Sequence, residues 1–524
     1  MRHFNIAGPC RTEQHYMLPP EPRLPEVRDL IDQGLYFVVH APRQTGKTTT
    51  MRAFARTLPA GKQFAALHVS CETGRVRSAD YGAAQRAILD RIQLAAPSAL
   101  PEKLRPPARW PAAPDETLLI WALSEWAEQC PQPLVLFLDE IDALQGDSLI
   151  SVLSQLRDGY NSRPTPFPHS VALCGMRDVR DYKAASGGDP ERLGSTSPFN
   201  IVAKSLRLAD FTFTEVADLY GQHTTATGQE FTPQAVQRAF EASQGQPWLV
   251  NALAREVIEE IKVTGPIADE HMDQAVERLI LARATHLDSL VARLHEPRIQ
   301  RIIEPIISGT RLGMDGRYND DLAYVRDMGL VTRTRPAQIS NPIYQEVIVR
   351  VLAGRVEENI DIDRRTFIAP DGRLDTTRIF EEFLEFWKQN GEIMATEETY
   401  HESACQLVFM AWLHRIVNGG GVIDREYALG RKRLDICVRW PYPDGNGKRA
   451  WQHAAIELKV HRPDGADPRS DGLTQLDSYL DRLGLDTGTL VVFDRRPTAP
   501  PLHERTAIEQ TTSPAGRSIT LLRA

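Results

Sequence analysis

A chain of 524 residues is longer than one ordinary hydrophobic core supports, and roughly three domains are expected. Its 42% hydrophobic and 25% charged residues are those of a folded soluble protein. No stretch nears the ~20 apolar residues that cross a bilayer and the opening residues lack the apolar core of a secretory signal, so no membrane partner and a cytoplasmic location are expected. The net charge of −8 argues against a whole-surface grip on nucleic acid but leaves room for a local basic groove, with Arg431, Lys432 and Arg433, or Arg350 and Arg355, as candidates that read equally well as solvated faces.

Six scattered cysteines (Cys10, Cys71, Cys130, Cys174, Cys405 and Cys437) show no paired spacing, so neither a disulfide framework nor a zinc knuckle is expected. The first third alternates apolar runs with helical patterns. Leu35 to Ala41 reads as a strand buried on both faces, and Thr49 to Leu58 reads as a helix. KQFAALHVSC, PLVLFLDEID and HSVALCGM read as three more strands, which implies a parallel α/β sheet. A proline-rich stretch from Pro101 to Pro114 is read as a surface excursion.

From about Phe211 to Leu352 the pattern turns helical, and the turn at Gly245 and Pro247 opens a long helix. Helix, Gly329 turn, short hairpin and helix then follow in the order of a winged-helix module, read here as structural in preference to DNA-binding. The expected boundaries are 1–208 for a nucleotide-binding core, 209–285 for a helical lid, 286–355 for the winged-helix-like module, 356–375 for a polar linker and 376–524 for a final α/β domain.

Ala41-Pro42-Arg43-Gln44-Thr45-Gly46-Lys47-Thr48 lies between the first strand and its helix, the context a phosphate-binding loop needs. Backbone N–H groups from Pro42 to Thr49 would wrap phosphate, less the donor that Pro42 lacks. Lys47 would sit by the β and γ oxygens, and the Thr48 hydroxyl would coordinate Mg²⁺. Ala41 stands where such loops open with glycine. Downstream, the apolar strand LVLFLDEID ends in two acids: Asp139 for the magnesium shell and Glu140 to orient or deprotonate the attacking water. A lone acid pair after a strand reads as a helix N-terminal pair favoured by the dipole, and the GKT upstream weighs against that.

A second constellation lies near the C-terminus. RKRLDICVRW and WQHAAIELKV read as strands, with Asp435 and Cys437 on one face of the first and Glu457 and Lys459 on one face of the second. Phosphodiester hydrolysis needs a hard cation held by carboxylates, with Mg²⁺ the usual choice and Mn²⁺ an alternative. Asp435, Glu457 and the Leu458 carbonyl would be ligands, and Lys459 would be the catalytic cation. Glu402 lies on a helix before the strands, and Gln475 and Tyr479 share the face of a helix after them. The bland alternative is an ion pair of Glu457 and Lys459 on an exposed strand.

Residues 1–355, through the GKT and DE motifs, resemble the AAA+ and STAND-like P-loop ATPases, particularly the prokaryotic AAA-like ATP-binding proteins. That resemblance implies an ATP cofactor, a helical lid in which Pro247 packs near the base, a sensor position at Arg177, and homo-oligomers with an arginine finger for which Arg157, Arg163 and Arg180 are candidates. Residues 376–497, through Glu402, Asp435, Glu457-x-Lys459 and Gln475-x-x-x-Tyr479, resemble the PD-(D/E)XK nuclease superfamily, with Leu434 where a proline is usual. It implies a restriction-endonuclease-like domain, Glu402 among the metal ligands, Gln475 in the catalytic set and DNA as substrate. Together they imply a multidomain α/β protein whose nucleotide state gates cleavage or assembly, at home in prokaryotic defence or mobile-element conflict. The rival is a STAND-like switch in which ATP binding drives assembly or partner recruitment and the last domain only grips nucleic acid or protein; on either reading a protein partner is a candidate trigger. A translocating motor is disfavoured because no helicase motif set is evident.

Overall fold

The computed structural model describes residues 2–58, 63–77, 80–176, 201–282, 287, 290, 292–294, 296–307, 316–357, 367–396, 404–417, 421–429, 432–445, 449–461, 466–494, 496 and 498–524. The chain divides into two compact units, one of residues 1–284 with 322–343 and one of residues 285–321 with 344–524. The stretch 286–355 is thus shared between them. Among the described residues no helix is long and apolar enough to cross a membrane.

The first unit is built on β1 (Tyr36–His40), β2 (Ala65–Ser70), β3 (Leu134–Asp139), β4 (Ser170–Gly175) and β5 (Val202–Arg207), in the order β2-β3-β4-β1-β5. Every pairing is parallel. β1, β3 and β4 are buried throughout, because alternate residues enter different cores. Tyr36, Val38, Leu67, Leu136 and Leu138 pack with α3 (Tyr81–Ala99), α4 (Leu118–Gln129) and α5 (Gly146–Asn161). Phe37, Val39, Ala66, Val135 and Phe137 pack with α1 (Glu26–Asp32) and α2 (Lys47–Thr57).

Three features go beyond the sequence reading. The edge strand β5, too mixed in composition to announce itself, pairs with β1. Helices α3 and α4 flank the proline-rich stretch. That stretch is itself anchored: Leu104 is buried, Trp110 packs on the core, and the Trp126 indole donates to the Leu104 carbonyl at 3.1 Å. Thr117 offers no side-chain cap to α4, and the buried Gln155 amide oxygen accepts from Leu119 N and Ile120 N instead, satisfying donors that would otherwise be orphaned.

α6 (Phe213–Thr227), α7 (Pro233–Ser243), α8 (Pro247–Arg255) and α9 (Asp269–Ala282) follow. Thr212 and Glu215 form a reciprocal capping box on α6, and Thr232 with Pro233 opens α7. Val331 and Ile339 pair as an isolated antiparallel bridge.

The second unit holds a mixed sheet of β6 (Val422–Leu429), β7 (Lys432–Pro443), β8 (Arg449–His461), β9 (Thr487–Asp494), β10 (Ala507–Thr512) and β11 (Ser518–Arg523), ordered β10-β11-β9-β8-β7-β6. β6, β7 and β8 are antiparallel, β8–β9 and β9–β11 are parallel, and β10 closes the edge antiparallel. Helices Thr376–Thr396 and Ala404–Val417 cover one face through Phe383, Phe409 and Trp412 against Ile436, Ile456, Leu458 and Phe493. The helix Arg469–Leu483 covers the other face, packing Leu476, Tyr479 and Leu480 on Cys437, Ala455 and Leu490.

Candidate functional sites

In the first unit the chain leaves β1 at His40 and turns into α2 through a loop with two left-handed residues, Gln44 (φ +60°) and Gly46 (φ +88°). Glycine at 46 takes that conformation without a Cβ penalty and leaves the first N–H groups of α2 pointing into the loop. The Lys47 ammonium donates to the carbonyls of Ala41 at 2.7 Å and Pro42 at 2.6 Å, and buried Thr45 donates to Pro42 at 2.9 Å. Pro42, which lacks a donor, therefore serves as an acceptor that pins the loop. Desolvation draws the Lys47 ammonium below the usual lysine range, against the opposing pull of Cys174, Asp142 and Asp139. Arg43 and Gln44 are exposed.

Asp139 ends β3, directly beside Ser70 of β2, and is 1% exposed. Burial works to raise its carboxyl, but hydrogen bonds from His68, Thr48 and Cys174 outweigh burial and hold it below the ordinary aspartate value. The His68 Nε2 contact is 3.0 Å. The GKT threonine and the acid at the end of β3, far apart in sequence, thus meet side chain to side chain. Glu140 sits in the left-handed region (φ +55°), with its N–H on Asp139 Oδ1 at 2.9 Å and its carboxylate accepting from the Ser70 hydroxyl at 2.5 Å. An acceptor pair at a hydroxyl-bearing site beside a cationic loop can hold a hydrated divalent cation and a phosphate chain.

The N-terminal segment contributes what the sequence did not disclose. The Cys10 N–H donates to Thr49 Oγ1 in the first turn of α2 at 3.0 Å, and the Trp248 indole of α8 donates to the Ile6 carbonyl at 2.8 Å. Phe4 and Tyr16 join Tyr220, His223 and Phe231 in one aromatic cluster. One short segment therefore ties α2 to the helices that follow the sheet. Pro247 is buried in the first turn of α8, where Gln246 caps Leu249 N at 2.6 Å. Its neighbour Trp248 is the residue bonded to Ile6.

Of the arginine-finger candidates, Arg163 is a structural clamp. Its guanidinium donates to the carbonyls of Gly34, Pro168 and His169 at 2.6–2.8 Å and lies over the rings of Tyr36 and Tyr160. Arg157 lies half-buried on α5, and Arg177 and Arg180 lie outside the described residues.

In the second unit Asp435, Glu457 and Lys459 come together. The β7–β8 ladder runs to Ile436↔Ile456; just beyond it the Asp435 carboxylate accepts from the Leu458 N–H at 2.9 Å. Glu457 is 1% exposed, one carboxylate oxygen accepts from Lys459 Nζ at 2.6 Å, and the other is buried without a hydrogen-bond partner. This is not an ion pair on an exposed strand. Burial first, and the Asp435 charge second, push the Glu457 carboxyl up to about 7, while Lys459 pulls it down. Such a group, beside a second carboxylate, fits a bound divalent cation, which would complete the orphan oxygen and cancel the repulsion.

Gly472 lets the Arg469–Leu483 helix approach this face; a Cβ there would lie 2.7 Å from Leu490 and 3.2 Å from the Lys459 stem. Tyr479 is buried in that contact, whereas Gln475 is exposed. Glu402 lies outside the described residues. Among the described residues no group of three or more His, Cys, Asp or Glu side chains gathers, and the described part of the centre is two carboxylates and one ammonium. His68, Ser70 and Cys174 were missed in the sequence; their only signal was polarity at the C-terminal ends of apolar strands.

Residues 31–182 match the family described as AAA domain. None of the curated proteins matches the chain. Among solved structures, the Walker-type ATPase PABY2304 of Pyrococcus abyssi is similar at 14% identity, over 66% of this chain and 99% of that one, with a TM-score of 0.46. The RuvB Holliday junction branch migration motor of Thermotoga maritima (13% identity, 62% and 92% covered, TM-score 0.32) and Cdc6p of Pyrobaculum aerophilum (14%, 64% and 94%, 0.33) are also similar. The parallel sheet, the strand–loop–helix that β1 and α2 form beside its central strand β4, and the domain match mark an AAA-type P-loop domain over residues 31–182 of the first unit.

Proposed function

We propose that this chain is an ATP-binding and ATP-hydrolysing protein whose second unit is a metal-dependent DNA endonuclease of the PD-(D/E)XK kind, with nucleotide state gating cleavage or assembly. The observation that carries the nuclease half is Glu457: a buried carboxylate with one oxygen on Lys459, one oxygen without a partner, and Asp435 alongside. Asp435, Glu457 and the Leu458 carbonyl would hold Mg²⁺ or Mn²⁺, with Glu402 as a further ligand. The cation would polarise the scissile phosphate and lower the pKa of an attacking water. Lys459 stabilises the charge that builds on phosphate, and Gln475 reaches the substrate from the neighbouring helix.

In the ATPase unit, Lys47 and the N–H groups up to Thr49 cradle phosphate. Thr48 and Asp139 serve the magnesium shell, Glu140 orients water once released from Ser70, Arg177 senses the γ-phosphate, and Pro247 packs near the base. The protein acts as a homo-oligomer in prokaryotic defence or mobile-element conflict, under a protein trigger.

The test is cleavage of plasmid, linear duplex and single-stranded DNA by the full chain, with Mg²⁺, Mn²⁺ or chelator, with and without ATP. Metal-dependent cutting should vanish in Glu457→Ala and Lys459→Ala; equal cutting by those variants removes the site. A second reading is a STAND-like switch whose last domain only binds. Binding without cleavage under every metal condition would select it.

A further inference from the structure

Arg23 closes the short helical turn Glu21–Arg23 ahead of α1, and only 9% of its side chain is exposed. Its guanidinium is held by the stretch that carries the chain from β5 into α6. Nε lies 3.3 Å from a Glu215 carboxylate oxygen, Nη2 donates to the Ala209 carbonyl at 2.5 Å, and Cζ lies over the Phe211 ring, 4.7 Å from its centroid. Burial draws the group below the usual arginine range, Glu215 and Asp210 oppose it, and a guanidinium keeps its proton in such a setting. The same stretch reaches further into the helical region. Glu215 is half of the α6 capping box, and the Phe211 N–H donates to the Gly245 carbonyl, in the turn before α8, at 2.8 Å.

The third nitrogen, Nη1, has no hydrogen-bond partner among the described residues. It faces the phosphate-binding loop. A Cβ built on Gly46 would lie 4.0 Å from Nη1, and apart from the adjacent chain no other heavy atom of the described residues would come as near. Gly46 is the left-handed residue at which the loop becomes α2, and the first N–H groups of that helix have no partner within it. The missing side chain therefore leaves clear space on this side of the loop, with a fixed cation across it. Arg163, the clamp on β1, differs, because both of its terminal nitrogens donate to carbonyls. Lys47, the loop's own cation, rests on the Ala41 and Pro42 carbonyls.

A guanidinium already oriented by a carboxylate and a carbonyl, with one N–H edge turned on a helix N-terminus, suits a phosphate. Phosphate oxygens accept from both, and a side chain fixed beforehand loses little freedom on binding. We infer that Arg23 is a phosphate-binding residue: Nη1 donates to an oxygen of the nucleotide's phosphate chain beside Gly46, and the rest of the guanidinium carries occupancy of the loop to residues 209–215. The inference rests on the ATP-binding reading for its ligand and adds to it a cation from outside the loop.

The experiment is titration of the full chain with ribose-labelled fluorescent ATP in Mg²⁺, joined to hydrogen–deuterium exchange of residues 209–215 with and without saturating ATP. Arg23→Gln should weaken ATP by about 10–100-fold, the range of a charge-assisted hydrogen bond. Glu215→Gln loosens the clamp, keeps an acceptor for the Thr212 N–H and leaves the cation in place. It should bind ATP no more weakly than the parent, since an anion beside the phosphate is gone. In the parent, ATP should slow exchange across 209–215; in Arg23→Gln it should not. Unchanged ATP affinity in Arg23→Gln overturns the inference, and so does an equal loss in Glu215→Gln, which would make Arg23 a clamp only. The exchange measurement on the parent needs no variant to fold, and ATP that binds without protecting 209–215 overturns the link to α6. Loss of ATP in Lys47→Ala with none in Arg23→Gln removes Arg23 alone; a parent that binds no ATP removes the nucleotide reading and this inference with it.

Discussion

Glu457→Gln keeps the shape of a side chain that is 1% exposed and removes its charge. In the metal-free protein the Glu457 carboxyl is pushed from 4.5 up to about 7 by burial and by Asp435, beyond what Lys459 restores. A carboxyl raised in the fold makes the folded state hold a proton that the unfolded chain has released. Its contribution is full below about pH 4.5 and is lost as pH rises through about 7. At 1.36 kcal/mol per pH unit, the loss is about 3 kcal/mol. The parent should therefore fall in stability relative to Glu457→Gln between about pH 5 and about pH 8 by that amount, about 6–12 °C in the melting of a unit this size. Mn²⁺ at about a hundredfold over its dissociation constant should return about 2.7 kcal/mol to the parent and almost nothing to the variant. Scanning calorimetry of both proteins, without nucleotide and with chelator or Mn²⁺, reads both effects. Parallel pH profiles together with equal Mn²⁺ responses would refute the argument that this carboxylate is a strained, cation-seeking group.

Lys47→Ala removes the only ammonium in the β1–α2 loop, the one now on the Ala41 and Pro42 carbonyls, and should abolish ATP binding and turnover; normal hydrolysis by the variant contradicts the assignment. Gly245→Ala should be strongly destabilising, because φ is +76° and the new Cβ would lie 1.9 Å from the Phe211 carbonyl oxygen. Gly221→Ala, on α6 with open space around it, should be neutral or stabilise by about 0.5–1 kcal/mol. Thermal melts of the two variants side by side check this contrast, and a weaker nucleotide affinity in Gly245→Ala would show that the turn before α8 supports the site.

What the sequence by itself determined is local. An apolar run followed by GKT and a helical pattern is enough to specify strand, loop and helix, because each element's periodicity and turn chemistry are written in adjacent residues. The same holds for β8, where alternation assigned Glu457 and Lys459 to one face and Ile456 and Leu458 to the other, as the two cores show. Edge strand β5 and the packed Leu104 and Trp110 escaped such reading, since a mixed run becomes a strand or an anchor only through its neighbours. Only the tertiary structure decided what surrounds each acid. Strand order set His68, Ser70 and Cys174 about Asp139 and Glu140, and the segment after Arg2 reached Thr49 and Trp248. The helix Arg469–Leu483 turned a nominally open acidic face into a buried one that perturbs Glu457. The physical reason is that pairing partners and desolvation are properties of distant segments brought together, and a single strand's alternation carries no record of them.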